Sequence, residues 1–327
     1  MSNAAPTRRA LWPAMGAVVL WPVVEGLGGA LVRAHPWSEL LWLRYASFLV
    51  AWAVVFLRPG RAGMLRTRHP ARQLLRGVLM AVASALEITS WQWGPSALAR
   101  AVFWACPVLV LAGAWWLLRE RPGARPVAAA LLGWLGVVFV LRPGLGPWST
   151  MASSFGAAAA FAGYILACRW LRRESLGTGL FYTGLGALLS FSLLASRSWT
   201  PVVATELPLI VALGVATLLF LALLDVALER ARSAALAPLL YGVVVVEALI
   251  GAAYRRRTPG WIALAGMVVI AAGTGLGVLW QTWRRSERDL AAEGSPERSV
   301  DGVAAGAGGP AGSALKKPGG LSRRTDR

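Results

Sequence analysis

Four carboxylates lie inside long apolar stretches of the sequence, where an ionisable side chain is expensive. They are Glu25, Glu87, Asp225 and Glu247. On insertion scales a charged side chain at the centre of a membrane helix costs about 2.5 to 3.5 kcal/mol, so each such residue is a functional candidate. Because burial in a low-dielectric cavity disfavours the charged form, such a carboxylate can alternate between protonated and ionised states. It can therefore carry a proton or pair with the ammonium group of a solute, and the sequence does not separate these uses.

Two arginines and several aromatic residues share these stretches with the acids. Arg44 and Arg100 are the intramembrane counter-charges, and an acid paired with one of them would serve only to lock helices together. Trp91 follows Glu87 by four residues, which places both side chains on one helix face and predicts an aromatic wall beside a carboxylate. Such a wall suits a cationic or zwitterionic organic solute through cation–π attraction. Weaker candidates for the same site are Trp21, Trp104, Tyr164 and Tyr241.

The elements that must position these side chains are membrane helices. The 327 residues are 57% hydrophobic and 15% charged, whereas soluble domains are about half apolar and a quarter charged. A helix needs about 20 apolar residues to cross the hydrocarbon layer. We therefore expect an all-α integral membrane protein with a Gly94-Pro95 turn that ends one helix and a Ser96 cap on the next. The ten predicted spans are 10–32, 38–57, 74–93, 96–118, 125–142, 152–171, 178–196, 206–228, 233–254 and 260–282.

The basic residues predict the orientation of these spans. Of the Lys and Arg residues in the loops and helix ends between residues 8 and 257, sixteen lie on the face of the N-terminus and six on the other. The positive-inside rule therefore predicts a protein of the cytoplasmic membrane with both termini in the cytoplasm. Arg8-Arg9 before an apolar stretch also resembles the start of a signal peptide, but that stretch is long and contains Glu25, which favours a retained span. After residue 282 the composition predicts a disordered tail.

An internal repeat is visible when the chain is aligned with itself. At an offset of 137 residues, Trp104 aligns with Tyr241 and Arg119 with Arg256, while Glu87 falls one position from Asp225. A repeat of five spans is odd in number, so the second copy must enter the membrane from the opposite side, as in many secondary transporters. The predicted segments are a cytoplasmic N-terminus at 1–9, two inverted five-helix repeats at 10–144 and 150–282, and a cytoplasmic tail at 283–327.

Several short motifs resemble those of the EamA-type drug/metabolite transporters. They include Glu39-Leu40 with Arg44, Arg76-Gly77, and the stretches Arg119–Pro122 and Gly133–Val138. The resemblance implies ten helices, with spans 1, 3, 4, 6, 8 and 9 around a central cavity, spans 5 and 10 at the periphery, and no cofactor. In the second half, Arg256 and Arg257 occupy the position of a family glycine and glutamate, so the function of that glutamate is lost there.

The residues and the resemblance together predict a secondary transporter of a small organic metabolite, such as an amino acid or a nucleoside-like compound. Proton coupling is expected, and export is favoured because many relatives are exporters. Candidate partners are the solute, protons, membrane lipids and a second copy of the chain, but not nucleic acid. His35 and His69 stand alone, and no nucleotide-binding or hydrolase motif is present, so we expect no metal, cofactor or catalytic residue. The alternatives are an intramembrane lipid-handling enzyme and a transport-inactive scaffold.

Overall fold

A computed structural model describes residues 8–57, 65–197, 199–230, 236–256 and 258–275. Within these ranges the regular structure is entirely helical. Nine of the helical segments described are long and apolar enough to cross a membrane, and Trp261–Gly275 is a shorter apolar helix. These segments confirm the prediction of an all-α, multi-pass integral membrane protein.

The helices follow one another through short connections. They are α1 (Arg8–Leu31), α2 (Trp37–Phe56), α3 (Pro70–Trp93), α4 (Ser96–Phe103), α5 (Cys106–Trp116), α6 (Ala124–Leu141), α7 (Trp148–Trp170), α8 (Leu176–Ala195), α9 (Leu207–Arg230), α10 (Gly242–Arg255) and α11 (Trp261–Gly275). Two short 3₁₀ helices, Ala204–Glu206 and Ala237–Tyr241, lead directly into α9 and α10. The predicted N-terminus and tail lie outside the described residues, apart from residues 8 and 9, and the tenth predicted span is described only to residue 275.

Proline determines several helix boundaries. Pro70 occupies the first position of α3, where its missing N–H costs nothing, so this helix begins four residues before the predicted start. Pro95 precedes the first residue of α4, and the predicted side-chain cap by Ser96 is wrong because that residue lies inside the helix. Pro22 does not interrupt α1, which is continuous from Arg8 to Leu31.

The fourth and ninth predicted spans are each divided near their middle. The fourth span separates into α4 and α5 at Trp104-Ala105, immediately before Pro107. Pro107 has no N–H and cannot donate to the carbonyl of Phe103, four residues earlier, so one helical hydrogen bond is missing at this break. The ninth span changes from a 3₁₀ helix to an α-helix between Tyr241 and Gly242. The predicted span at 96–118 is thus present as one apolar helical segment, Ser96–Trp116, that is interrupted at Trp104-Ala105.

The closest helix packing joins the first three helices to α7, α8 and α9. Helix α3 packs against α7 and α8, α1 packs against α9, and α2 packs against both α8 and α9. Glycine allows the closest approaches, since a Cβ atom on Gly77 of α3 would lie 2.8 Å from the carbonyl oxygen of Thr183 in α8. A Cβ atom on Gly214 of α9 would lie 2.6 Å from the backbone nitrogen of Phe48 in α2. These helices are therefore in backbone contact.

Candidate functional site

A cavity of about 80 Å³ lies between α1, α2, α3 and α9. It is close to the face of the bundle where α1 ends and α2 begins, which the charge distribution predicts to be the external face. Its polar lining comprises Glu25, Arg44, Ser84 and Glu87, and Trp91 forms an aromatic wall. The four-residue spacing of Glu87 and Trp91 along α3 places both at the cavity. Helix α2 contributes part of the wall, although the family resemblance did not place the second span there.

An arginine links two of the predicted carboxylates beside this cavity. The guanidinium of Arg100 in α4 donates a hydrogen bond to Glu247 of α10, and its Nη2 atom lies 3.7 Å from a carboxylate oxygen of Glu25 in α1. The same guanidinium lies over the ring of Trp91, 5.3 Å from its centroid. Arg100 therefore pairs with two of the intramembrane acids. The cation over the ring of Trp91 is this arginine, whereas the sequence suggested the cationic group of a solute.

Glu87 differs from the other two acids in its surroundings. Within the described part of the chain, its carboxylate forms no hydrogen bond and no ion pair shorter than 4.0 Å. Arg44, the second cation of the cavity, instead donates from Nε to the hydroxyl of Thr217 in α9 at 3.1 Å. Three carboxylates and two guanidiniums thus meet at this site, and with all five ionised the group has a net charge of −1. Glu87 is the carboxylate without a direct partner, so it is the one available to a proton or to a cationic group.

The structure does not bring Asp225 to this cavity. Asp225 of α9 pairs with Arg76 of α3, and the side chains are 9% and 4% exposed. Arg76 also donates to the hydroxyl of Tyr164 at 3.2 Å, and its guanidinium lies 5.2 Å from the centre of that ring. Arg76 and Glu87 are eleven residues apart on α3, which is about 16 Å along the helix axis. The two charged groups therefore lie at different depths, near opposite faces of the bundle.

Arg76 was missed because the predicted span 74–93 has it in its first turn, where it was counted among the basic residues at the cytoplasmic helix ends. Pro70 is the signal that could have placed it deeper, because a helix that begins there has Arg76 in its second turn. Gln73, Arg76, Gly77 and Met80 are all buried, at the spacing that forms one helix face. An arginine on such a face requires a partner inside the bundle, and Asp225 provides it.

The weaker aromatic candidates form a core rather than a cavity wall. Trp21 is 7% exposed and packs against Phe103, Trp104, Phe161 and Phe220, with ring centroids 5.1 to 5.9 Å apart. Tyr164 and Tyr241 are fully buried. None of the four predicted aromatic residues lines the described cavity, so Trp91 is the predicted aromatic that does so.

His35 does not stand alone, contrary to the sequence analysis. Its ring nitrogens contact carboxylates of Glu39 at 2.8 Å and Glu206 at 3.1 Å. The other oxygen of Glu39 accepts the backbone N–H of Thr200 at 2.9 Å. This cluster joins the α1–α2 connection to the segment before α9, close to the cavity. His35 precedes Glu39 by four residues, a spacing that could have indicated the pair. Among the residues that the structure describes, no group of three or more His, Cys, Asp or Glu is arranged to hold a metal ion.

The sequence of this chain is similar to those of known membrane transporters. No family model matches the sequence. The S-adenosylmethionine uptake transporter of Rickettsia felis is 26% identical over 248 residues, which cover 74% of this chain and 82% of the relative. The riboflavin transporter of Rhizobium johnstonii is 28% identical over 158 residues, covering 44% of this chain and 51% of the relative. These relatives are transporters and not enzymes, in agreement with the prediction that this chain is not an enzyme.

A solved crystal structure has the same fold. It aligns with a TM-score of 0.73, at 22% identity, over 85% of this chain and 98% of that one. The similarity extends over nearly all of the helical region that the structure describes.

Proposed function

We propose that the chain is a secondary transporter of a small zwitterionic or cationic organic metabolite, with its solute site at the cavity of Glu87. The observation that carries the proposal is the carboxylate of Glu87, which faces an intramembrane cavity without a direct ion-pair partner in the described part of the chain. Arg44 faces the same space and is suited to a solute carboxylate. A solute with an ammonium or sulfonium group and a carboxylate would match both charges.

Two curated relatives make S-adenosylmethionine the first solute to test. The Rickettsia felis and Rickettsia bellii proteins are both named as uptake transporters of this compound. It carries a sulfonium, an ammonium and a carboxylate group, which suit Glu87 and Arg44. The cavity of about 80 Å³ is smaller than the roughly 300 to 1,000 Å³ of usual ligand pockets, so we propose that it widens when the solute enters. A reversible carrier permits export as well as uptake.

We propose that the chain consists of two inverted five-helix repeats of the EamA type, which form a carrier that opens alternately to each side. Gly77 of α3 and Gly214 of α9 are related by the offset of 137 residues. Gly77 is in close contact with the backbone of α8, and Gly214 is in close contact with the backbone of α2, the helix that occupies the equivalent place in the first repeat. A Cβ on Gly136 would lie 2.8 Å from the carbonyl oxygen of Gly266, and one on Gly273 would lie 3.1 Å from that of Ala129. The same offset of 137 residues relates Gly136 to Gly273 and Ala129 to Gly266, so these two contacts are also equivalent.

The divided spans support the same symmetry. The breaks at Trp104-Ala105 and Tyr241-Gly242 fall at equivalent positions of the alignment. Arg119 and Arg256, also equivalent, both have left-handed backbone conformations, with φ of 52° and 51°. When two repeats are related by an approximate two-fold axis in the membrane plane, each contact between helices of the two repeats has an equivalent contact in which the two repeats change places. We propose that the two repeats move about this axis.

Counterflow in proteoliposomes tests the proposal. The purified chain is reconstituted into liposomes that contain unlabelled S-adenosylmethionine or one member of a panel of amino acids, nucleosides and flavins. The entry of the same solute in labelled form is then measured with and without a pH gradient. Glu87→Gln removes a charge that a solute cation would contact. A charge-assisted contact contributes about 1.5 to 3 kcal/mol, so we expect the half-saturating concentration of solute to rise roughly 10- to 100-fold.

Glu229→Gln is the matched control because it makes the same chemical change at an exposed position near the end of α9. Its transport should equal that of the unmodified protein. Normal transport by Glu87→Gln would contradict the assigned site. Absence of transport for every compound by the unmodified protein would instead favour a scaffold or a lipid-handling enzyme. Loss of the pH-gradient effect in Glu87→Gln would support proton coupling through this carboxylate.

A further inference from the structure

A second and much larger cavity lies at the opposite end of the bundle from Glu87. Its volume is about 900 Å³, and this open cavity is bordered by the segment before α3, the end of α7 and the start of α8. The charge distribution predicts this end to be cytoplasmic. The charged and titratable residues that line the cavity are Arg66, Arg68, His69, Arg72, Arg173 and Glu174.

The lining is strongly cationic. Four arginines face one glutamate, which gives a net charge of +3 with His69 neutral. In the described ranges, no carboxylate lies within 4.0 Å of the guanidinium nitrogens of these four arginines. Arginines that serve only to form local ion pairs would have carboxylate partners. This set has an uncompensated positive charge directed at one concave space.

The backbone around the cavity adds to this potential. Helix α3 begins at Pro70 directly after His69, and α8 begins at Leu176 directly after Ser175, so the positive ends of two helix dipoles lie at the cavity. The cavity is also held in shape by specific contacts. Tyr182 of α8 donates to the carbonyl of Leu65 at 3.2 Å, and the guanidinium of Arg72 lies over the ring of Trp170, 4.3 Å from its centroid.

We propose that this cavity binds a phosphate-bearing anion. Guanidinium groups match phosphate oxygens bidentately, and helix N-termini are established anion sites. Trp170 lies at the end of α7 and is 59% exposed, which is typical of a side chain at the level of the lipid headgroups. The phosphate can therefore come from an anionic phospholipid of the adjacent leaflet or from a soluble phosphate compound. This inference is independent of the solute site at Glu87.

Ligand-induced thermal stabilisation of the full-length protein in neutral detergent tests the proposal. The probes are cardiolipin, phosphatidylglycerol, phosphatidylcholine as the neutral lipid, and inorganic pyrophosphate. The double variant Arg68→Gln/Arg173→Gln removes two charges from the cavity. The double variant Arg33→Gln/Arg197→Gln is the matched control, since it removes two exposed arginines from the opposite face. Native mass spectrometry counts the lipids that remain bound.

We expect an anionic lipid to raise the thermal midpoint at concentrations where phosphatidylcholine does not, with one or two molecules retained. Loss of two cavity arginines should weaken this binding roughly tenfold or more, while the control variant changes it less than twofold. Stabilisation by pyrophosphate alone, lost in the same variant, would support the site with a soluble ligand. Equal stabilisation by phosphatidylcholine, equal losses in both double variants, or no stabilisation by any phosphate compound would overturn the proposal.

Discussion

The buried pair of Arg76 and Asp225 leads to a prediction about stability that can be worked out in detail. Asp225→Asn removes the anion and leaves the guanidinium of Arg76 inside the bundle, where its side chain is 4% exposed. Removal of one member of a buried ion pair costs about 3 to 5 kcal/mol, because the other charge remains uncompensated. Within the described chain the Nε atom of Arg76 already has no hydrogen-bond partner, so in this variant its guanidinium keeps the bond to the hydroxyl of Tyr164.

The double variant Arg76→Gln/Asp225→Asn separates the charge effect from general disruption. Because it buries no net charge, we expect it to be more stable than either Asp225→Asn or Arg76→Gln. The two single substitutions should therefore not add, and their coupling energy should exceed about 2 kcal/mol. Thermal unfolding of the purified proteins in one detergent, followed by size-exclusion chromatography, gives the order of stability.

Two outcomes would refute this interpretation of Asp225. One is a double variant as unstable as the worse single variant. The other is an Asp225→Asn protein that unfolds at the temperature of the unmodified protein but loses the pH dependence of transport. The second outcome would instead support the coupling role that the repeat alignment suggested for this carboxylate.

Two further predictions concern the backbone. Gly77→Ala should destabilise the bundle by about 1 to 3 kcal/mol, because the added Cβ would lie within 2.8 Å of backbone atoms of α8. Gly26→Ala is the control, since no atom of another helix lies within 4 Å of a Cβ at that position. Equal thermal midpoints for the two variants would contradict this packing. Arg119→Gly and Arg256→Gly should each stabilise the protein by up to about 1 kcal/mol, because glycine tolerates the left-handed conformation of these positions. A lower thermal midpoint for both glycine variants than for the corresponding alanine variants would show that backbone strain is not what limits stability there.

The fold was largely accessible from the sequence because hydropathy and helix length are linked by the thickness of the bilayer. The division of the fourth span was also accessible in principle, since Pro107 stands in the middle of an apolar run. The 3₁₀ start of the ninth span was less so, because Pro238 lies at its beginning and leaves the break at Tyr241 without a local signal. Tertiary packing decides that geometry.

The candidate site was only partly accessible, because sequence shows which charges are buried but not which of them meet. The match of Glu87 with Asp225 suggested two carboxylates for one cavity. In an inverted repeat, however, equivalent positions lie at equal distances from the midplane on opposite sides, so near-equivalent residues away from the midplane are separated. Arg100 contacts Glu25 and Glu247, whereas the counter-charge of Asp225 could be found only from the position of Arg76 along α3.

The cluster of His35, Glu39 and Glu206 has a consequence for how the cavity of Glu87 could open. The imidazole bridges two carboxylates that belong to different halves of the chain, and only its doubly protonated form donates to both. Separation of the halves on this side would break the contact of His35 with Glu206 and the bond from Thr200 to Glu39, and it would expose His35 and Glu39, now buried. Opening of the entrance on that side therefore requires the contact between His35 and Glu206 to break, although neither residue lines the cavity of Glu87.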